Sequence, residues 1–131
     1  APQAINGLTQ ELNCKRAIPL NVSGAFHSPF MLAPAKEFER ELDKVEFSPP
    51  SFPVVSNSQP TPTLDILLLK DRLKRQMITG VRWRETMELF AQKGINNFIE
   101  IGPGNVLSGL AKRSLEGVNI NRFSTSSDLS S

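Results

Sequence analysis

Apolar residues recur along the chain at two spacings, and the switches between them mark out its elements. Ala4, Ile5, Leu8 and Leu12 fall at helical intervals and predict a helix over 3–12, closed by Lys15 and Arg16, which suit its negative end. "AIPLNVS", 17–23, alternates and reads as a strand in which Pro19 favours an edge or a bulge. Gly24 breaks it. Beyond Pro29, the positions Met31, Ala35, Phe38, Leu42 and Val45 step by four and three, an amphipathic helix with the charges of "KEFEREL" on its outer face. The prolines of "FSPPSFPVVSN" stop that helix; 52–56 reads as a short buried strand and "SQPTPT", 58–63, as a loop.

Two more helices follow. Ile66, Leu69, Leu73 and Met77 make one stripe across 65–78, and Trp83, Met87 and Phe90 another across 82–93, ended by Gly94. "NFIEI" predicts a strand, "GPG" a tight turn, 106–115 a helix and "VNINRFST" a last strand before the polar tail "SSDLSS". No internal repeat is visible. The order helix, strand, helix, strand, two helices, strand, helix, strand predicts an α/β layered fold with a largely parallel sheet. The chain opens on a helix with no strand before it, as a sequence starting in mid-domain would.

Composition narrows the function classes. The 131 residues are 39% hydrophobic and 21% charged, the balance of a globular domain long enough to bury a core. A formal charge of +2 is too weak a field to argue for nucleic acid or an anionic membrane, and the densest apolar run, "LDILLL", is far short of a bilayer span. One cysteine, Cys14, excludes an internal disulfide framework and fits a reducing compartment. One histidine and one cysteine make no metal cage.

Several residues carry candidate chemistry. "IEIGPGNVLSGL" places a glycine turn between a strand and a helix, as a phosphate cradle would, but Leu107 stands where a dinucleotide fingerprint needs glycine and Ser108-Gly109 where a Walker loop needs Gly-Lys-Ser/Thr. A plain strand-to-helix turn is the simpler reading. Cys14 could be a nucleophile partnered by His27, but no motif surrounds it, and a small apolar filler is the plainer role. Lys70, Arg72, Lys74 and Arg75 form either a solvated helix face or a docking patch for an acidic partner. Gln76 puts an amide at the border of an apolar stripe: an edge residue, or a group tied to a site. His27, the only histidine, follows the expected strand 17–23 at its carboxyl end, where open α/β sheets place their sites. A histidine base needs a nucleophile and an orienting group, and no Gly-x-Ser-x-Gly elbow occurs in the chain.

"VSGAFHSPFM", "FPVVSN", "RQMITGVRW" and "IEIGPGNVLSGLAKR", in this order and spacing, resemble the C-terminal part of the malonyl-CoA:acyl carrier protein transacylase family, whose relatives include the acyltransferase domains of fatty acid and polyketide synthases. The likeness runs from Ala1 to about Phe123. It implies an α/β-hydrolase-like body with a ferredoxin-like small subdomain inserted. Residues 1–21 would be the last helix and strand of that subdomain, and 22–131 the closing third of the body.

The resemblance also implies a ping-pong transfer of malonyl from malonyl-CoA to the phosphopantetheine thiol of acyl carrier protein, with no bound cofactor. His27 matches the family's base, and Gln76 the residue whose backbone carbonyl orients it. Phe26 matches the position associated with malonyl rather than methylmalonyl selection. The nucleophilic serine, the carboxylate-binding arginine and the oxyanion-hole glutamine would lie upstream of Ala1. The expectation is therefore a C-terminal fragment of a free-standing, monomeric enzyme of the cytoplasm or a plastid, inactive and poorly stable by itself, with the polar tail at Ser131 fitting a natural terminus. A slice of a polyketide synthase acyltransferase domain is one rival. The other is an inactive module that binds carrier protein through Lys70, Arg72, Lys74 and Arg75.

Overall fold

The computed structural model describes residues 24–129. The helix expected over 3–12, Cys14, the strand over 17–23 and the subdomain boundary at residue 21 lie outside the described residues. A single 3₁₀ turn, Pro29–Met31, leads into α1, Leu32–Asp43. It is followed by β1 (Val54–Ser56), β2 (Gln59–Thr63), α2 (Ile66–Arg75) and α3 (Trp83–Gln92). β3 (Asn97–Ile101), α4 (Val106–Ser114), β4 (Asn119–Phe123) and a 3₁₀ turn at Ser126–Leu129 complete the order. The helices lie within two residues of their expected starts and within three of their expected ends, and the fold is mixed α/β as anticipated.

The sheet expectation is half met. β3 and β4 pair in parallel from Asn97↔Asn119 to Ile101↔Phe123, with α4 as the crossover that parallel neighbours require. β1, however, pairs antiparallel with β2, through Val54↔Thr63 and Ser56↔Gln59 with an irregularity between. The stretch read as a loop is thus a strand. Its prolines misled: Pro60 and Pro62 alternate with Gln59, Thr61 and Thr63, so both positions without an N–H share one side of the backbone. Among the described residues β2 has a single neighbour, an edge arrangement that tolerates proline.

Packing follows the apolar stripes. Ala35 and Leu42 bury the inner face of α1 against α2, and Met87 and Ala111 bury those of α3 and α4. Asp65 caps α2: its Oδ1 accepts from the amides of Leu67 and Leu68 at 2.9 and 3.1 Å. Gly94 ends α3 with φ 68°, the left-handed conformation that lets the chain leave the helix at little cost. β3 alternates inward Phe98 and Glu100 with outward Ile99 and Ile101, and the last is 83% exposed. Such an apolar sheet face, bare in this chain, is of the kind that further protein covers. Among the described residues no helix is long and apolar enough to cross a membrane.

Candidate active site around His27

An α-helix leaves its last carbonyls without intrahelical donors, and the end of α2 shows where such groups go. Gln76 is the C-cap: its amide donates to the Leu73 carbonyl at 3.4 Å, while the Ile78 amide and the Thr79 hydroxyl both return to the Arg75 carbonyl. The carbonyls of Gln76 and Met77 are instead taken by one residue from far away in sequence. The His27 amide donates to Met77 O at 2.8 Å, and His27 Nδ1 lies 2.9 Å from Gln76 O. His27 is held at φ 64°, the only described non-glycine residue with positive φ, a conformation that costs free energy and is concentrated at functional sites.

This pairing assigns the tautomer. A carbonyl oxygen only accepts, so the Nδ1 facing it carries the hydrogen, and in the neutral ring Nε2 is left with a lone pair. Among the described residues the ring makes no other hydrogen bond, and the residue is exposed. An exposed imidazole gripped at Nδ1 and open at Nε2 has the arrangement of a general base awaiting a proton donor. The adjacent serine is not that donor, since the Ser28 hydroxyl donates to Ala25 O at 2.6 Å and closes the turn on which the histidine stands.

Phe26 stands beside His27 with 55% of its surface exposed. Its ring lies back over Gly24, where a Cβ would sit 3.1 Å from the ring edge, so the close approach depends on glycine at that position. His27, on a turn, and Gln76, at a helix end, are therefore in contact, and Phe26 is the chain neighbour of His27 on that turn.

Arg72 does not share a surface with the other basic residues of its cluster. Arg72 is 2% exposed, with Nη1 donating to Thr61 O on β2 at 2.6 Å, so it is neither on a solvated helix face nor available to a docking partner. Lys70 and Lys74 turn to α1: Lys74 Nζ is 2.8 Å from Asp43 and 3.3 Å from Glu39, and Lys70 is 3.6 Å from Asp43. Arg75 pairs with Asp71 one turn earlier. The physical reason is packing: α2 lies between α1 and the β1–β2 hairpin, so Lys70 and Lys74 reach carboxylates of α1 and Arg72 reaches a carbonyl of β2.

The glycine turn between β3 and α4 has its own anion. Glu100 Oε1 accepts from the Leu107 amide at 3.1 Å, and Oε2 accepts from the Ser108 amide at 3.0 Å and from the Ser108 hydroxyl. The Ser108 hydroxyl is the main cause holding this carboxyl below the usual glutamate range, with the two amides and Arg122 helping against some desolvation. The first-turn amides that a phosphate would need are thus occupied, and the plain-turn reading stands. Sequence reasoning missed Glu100; a carboxylate on the inward side of a strand, immediately before a glycine turn into a helix, is the signal that could have revealed it. Among the described residues no group of three or more His, Cys, Asp or Glu side chains could hold a metal ion.

The chain is similar to known proteins over most of its length. No family model matches the chain. The malonyl CoA-acyl carrier protein transacylase of Synechocystis sp. is 40% identical over 127 residues, which is 97% of this chain and 43% of that protein. The protein of the same name from Bacillus subtilis is 40% identical over 106 residues, covering 81% of this chain and 33% of its own length. The crystal structure of the Synechocystis transacylase superposes with a TM-score of 0.82 at 41% identity, over 95% of this chain and 44% of that one. A malonyl-transacylase solved with a type II polyketide acyl carrier protein gives 0.84 at 32% identity, over 97% and 42%. The chain spans less than half the length of these relatives. By sequence and by fold, it belongs to the malonyl-CoA:acyl carrier protein transacylase family.

Proposed function

We propose that this chain supplies the general base of an enzyme that transfers malonyl from malonyl-CoA to the phosphopantetheine thiol of acyl carrier protein. The observation that carries the reading is the contact between His27 Nδ1 and Gln76 O, which leaves Nε2 as the proton acceptor. A neutral carbonyl does the orienting that a carboxylate does in other triads. The nucleophile would be a serine in the part of the protein that this chain does not span.

In the first half-reaction the serine Oγ forms a bond to the thioester carbonyl carbon while Nε2 takes its proton. The carbon–sulfur bond then breaks, and the thiolate of coenzyme A leaves with that proton. In the second half-reaction Nε2 takes the proton of the phosphopantetheine thiol, whose sulfur attacks the acyl-serine ester. The serine oxygen leaves and recovers the proton. No cofactor is consumed. Phe26, exposed beside His27, would crowd an α-methyl group and so favour malonyl over methylmalonyl.

The same reading places residues 22–131 in an α/β-hydrolase-like body and 1–21 at the end of a ferredoxin-like subdomain. The bare apolar face of β3, with Ile99 and Ile101, would be covered by the rest of that body. The complete enzyme would act as a monomer in the cytoplasm or a plastid, with acyl carrier protein as its partner. The test is acylation of the complete protein by radiolabelled malonyl-CoA. His27→Ala should suppress acyl-serine formation by about 10²–10⁴-fold, the range for loss of a general base. Full labelling of that variant would overturn the assignment. The 131-residue chain by itself should take up no label.

A further inference from the structure

Among the described residues, Arg72 is a buried cation that meets no carboxylate. It is 2% exposed, its Nε has no hydrogen-bond partner among them, and its one bond to them is Nη1 to Thr61 O at 2.6 Å. Burying a guanidinium is expensive, and an apolar side chain of similar volume at such a position is commonly neutral or stabilising. Core packing therefore gives no reason for arginine here. Its place on the helix does.

Arg72 lies one helical turn before Gln76, on the same side of α2, and its single bond crosses to the middle of β2. β2 is paired with β1, and Asn57, just beyond β1, accepts the Arg82 amide at 2.8 Å where α3 begins. The bond thus ties the last turn of α2 to a hairpin whose turn is anchored to the start of α3. Beyond that turn come Gln76 O and Met77 O, the two acceptors that hold the ring and the amide of His27. A small rotation or slide of the helix end would carry both acceptors away from a residue already strained at φ 64°.

We propose that Arg72 is a positioning residue for His27: by binding Thr61 O it sets the end of α2 so that the Gln76 and Met77 carbonyls hold the imidazole in its working orientation. The proposal rests on His27 being the base. It separates two quantities that a purely structural residue would move together. Arg72→Met removes the tether and keeps the volume, so the complete enzyme should keep its melting temperature or gain in it. Its kcat should nevertheless fall by about tenfold, a modest share of what misplacing a catalytic group by an ångström costs. KM for malonyl-CoA should be unchanged. Arg72→Lys retains a donor for Thr61 O and should recover most of the rate.

The measurement is steady-state malonyl transfer by wild type, Arg72→Met, Arg72→Lys and His27→Asn, with thermal unfolding of each. A wild-type kcat in a folded Arg72→Met overturns the proposal, as does a rate that falls only in step with the folded fraction. Should Arg72→Met not fold, Arg72→Gln, whose side chain is too short for Thr61 O, takes its place under the same criteria. If His27→Asn is as active as wild type, the underlying reading of the base has failed, whatever position 72 does.

Discussion

His27 Nδ1 lies 2.9 Å from the main-chain oxygen of Gln76, and the His27 amide lies 2.8 Å from the oxygen of Met77. Two consecutive carbonyls left over at a helix end thus hold both the backbone and the ring of one residue. Asparagine tolerates left-handed φ better than most residues, so His27→Asn should preserve the turn while removing the base. His27→Ala removes the base and places a residue that resists the same backbone conformation. Both variants of the complete protein should lose acyl-serine formation by at least about a hundredfold. His27→Asn should also melt within a few degrees of wild type, as followed by circular dichroism. A His27→Asn protein with wild-type rate would contradict the role given to the ring.

Glu100 should matter for stability in a pH-dependent way. The carboxyl is held below its ordinary range, chiefly by the Ser108 hydroxyl, so the folded state binds its proton less readily than the unfolded chain. The stabilisation is therefore whole at neutral pH. It is lost as pH falls through the ordinary glutamate range (~4.3) and on through the lowered folded value. Glu100→Gln puts an amide where three donors converge, and one of them must go unanswered. At pH 7 the variant should melt about 2–5 °C below wild type, and the gap should close in acid as wild type loses the charge. Equal melting curves at pH 7 would show that the carboxylate does not hold the turn.

What the sequence made legible and what it hid divide along physical lines. The stripes Met31–Val45 and Ile66–Leu73 are legible because burial of one helix face imposes a period near 3.6, and α1 and α2 follow them. The alternation in "NFIEI" likewise survives as inward Phe98 and Glu100. β2 was hidden because proline is a breaker only where the chain needs its N–H, and an edge position does not. Arg72 was hidden because a charge at helical spacing among other charges looks solvated; only the hairpin packed on α2 shows that it points inward. The left-handed turn at His27 and the carbonyl of Gln76 are main-chain features, and side-chain pattern carries no direct trace of either. Their roles were reached through likeness to a family, and their contact is what the geometry adds.

The ion pairs between α1 and α2 distinguish an internal scaffold from a docking patch. Asp43 is held below its usual range and Lys74 above its own, each chiefly by its hydrogen bond with the other. Both effects favour the charged pair across neutral pH. They weaken as pH falls through the lowered Asp43 value or rises through the raised Lys74 value. Exposed pairs of this kind contribute little, so Lys74→Glu, which repels Asp43 and Glu39, should lower the melting temperature by only about 1–3 °C. High salt should shrink that difference. Affinity of the complete protein for acyl carrier protein, measured by titration calorimetry, should not change. A large loss of affinity with an unaltered melting temperature would restore the docking reading of this cluster.

Phe26 offers the most direct test of selectivity, because its surroundings limit how its ring can respond. The ring rests on Gly24, where even a Cβ would come within 3.1 Å, so it cannot retreat further toward the turn when a bulkier acyl group arrives. More than half of its surface, 55%, is exposed beside His27. A methyl branch on the acyl chain must then displace the ring or be excluded, and a group of that size is worth about 1–3 kcal/mol in a fitted pocket. Phe26→Ala should therefore raise the ratio of kcat/KM for methylmalonyl-CoA to that for malonyl-CoA by about 10–100-fold. Most of the change should lie in the methylmalonyl term, since removing a wall admits the larger substrate without adding a contact to the smaller. A ratio that stays at its wild-type value, in a variant that still transfers malonyl, would show that selection is made by residues elsewhere in the complete enzyme.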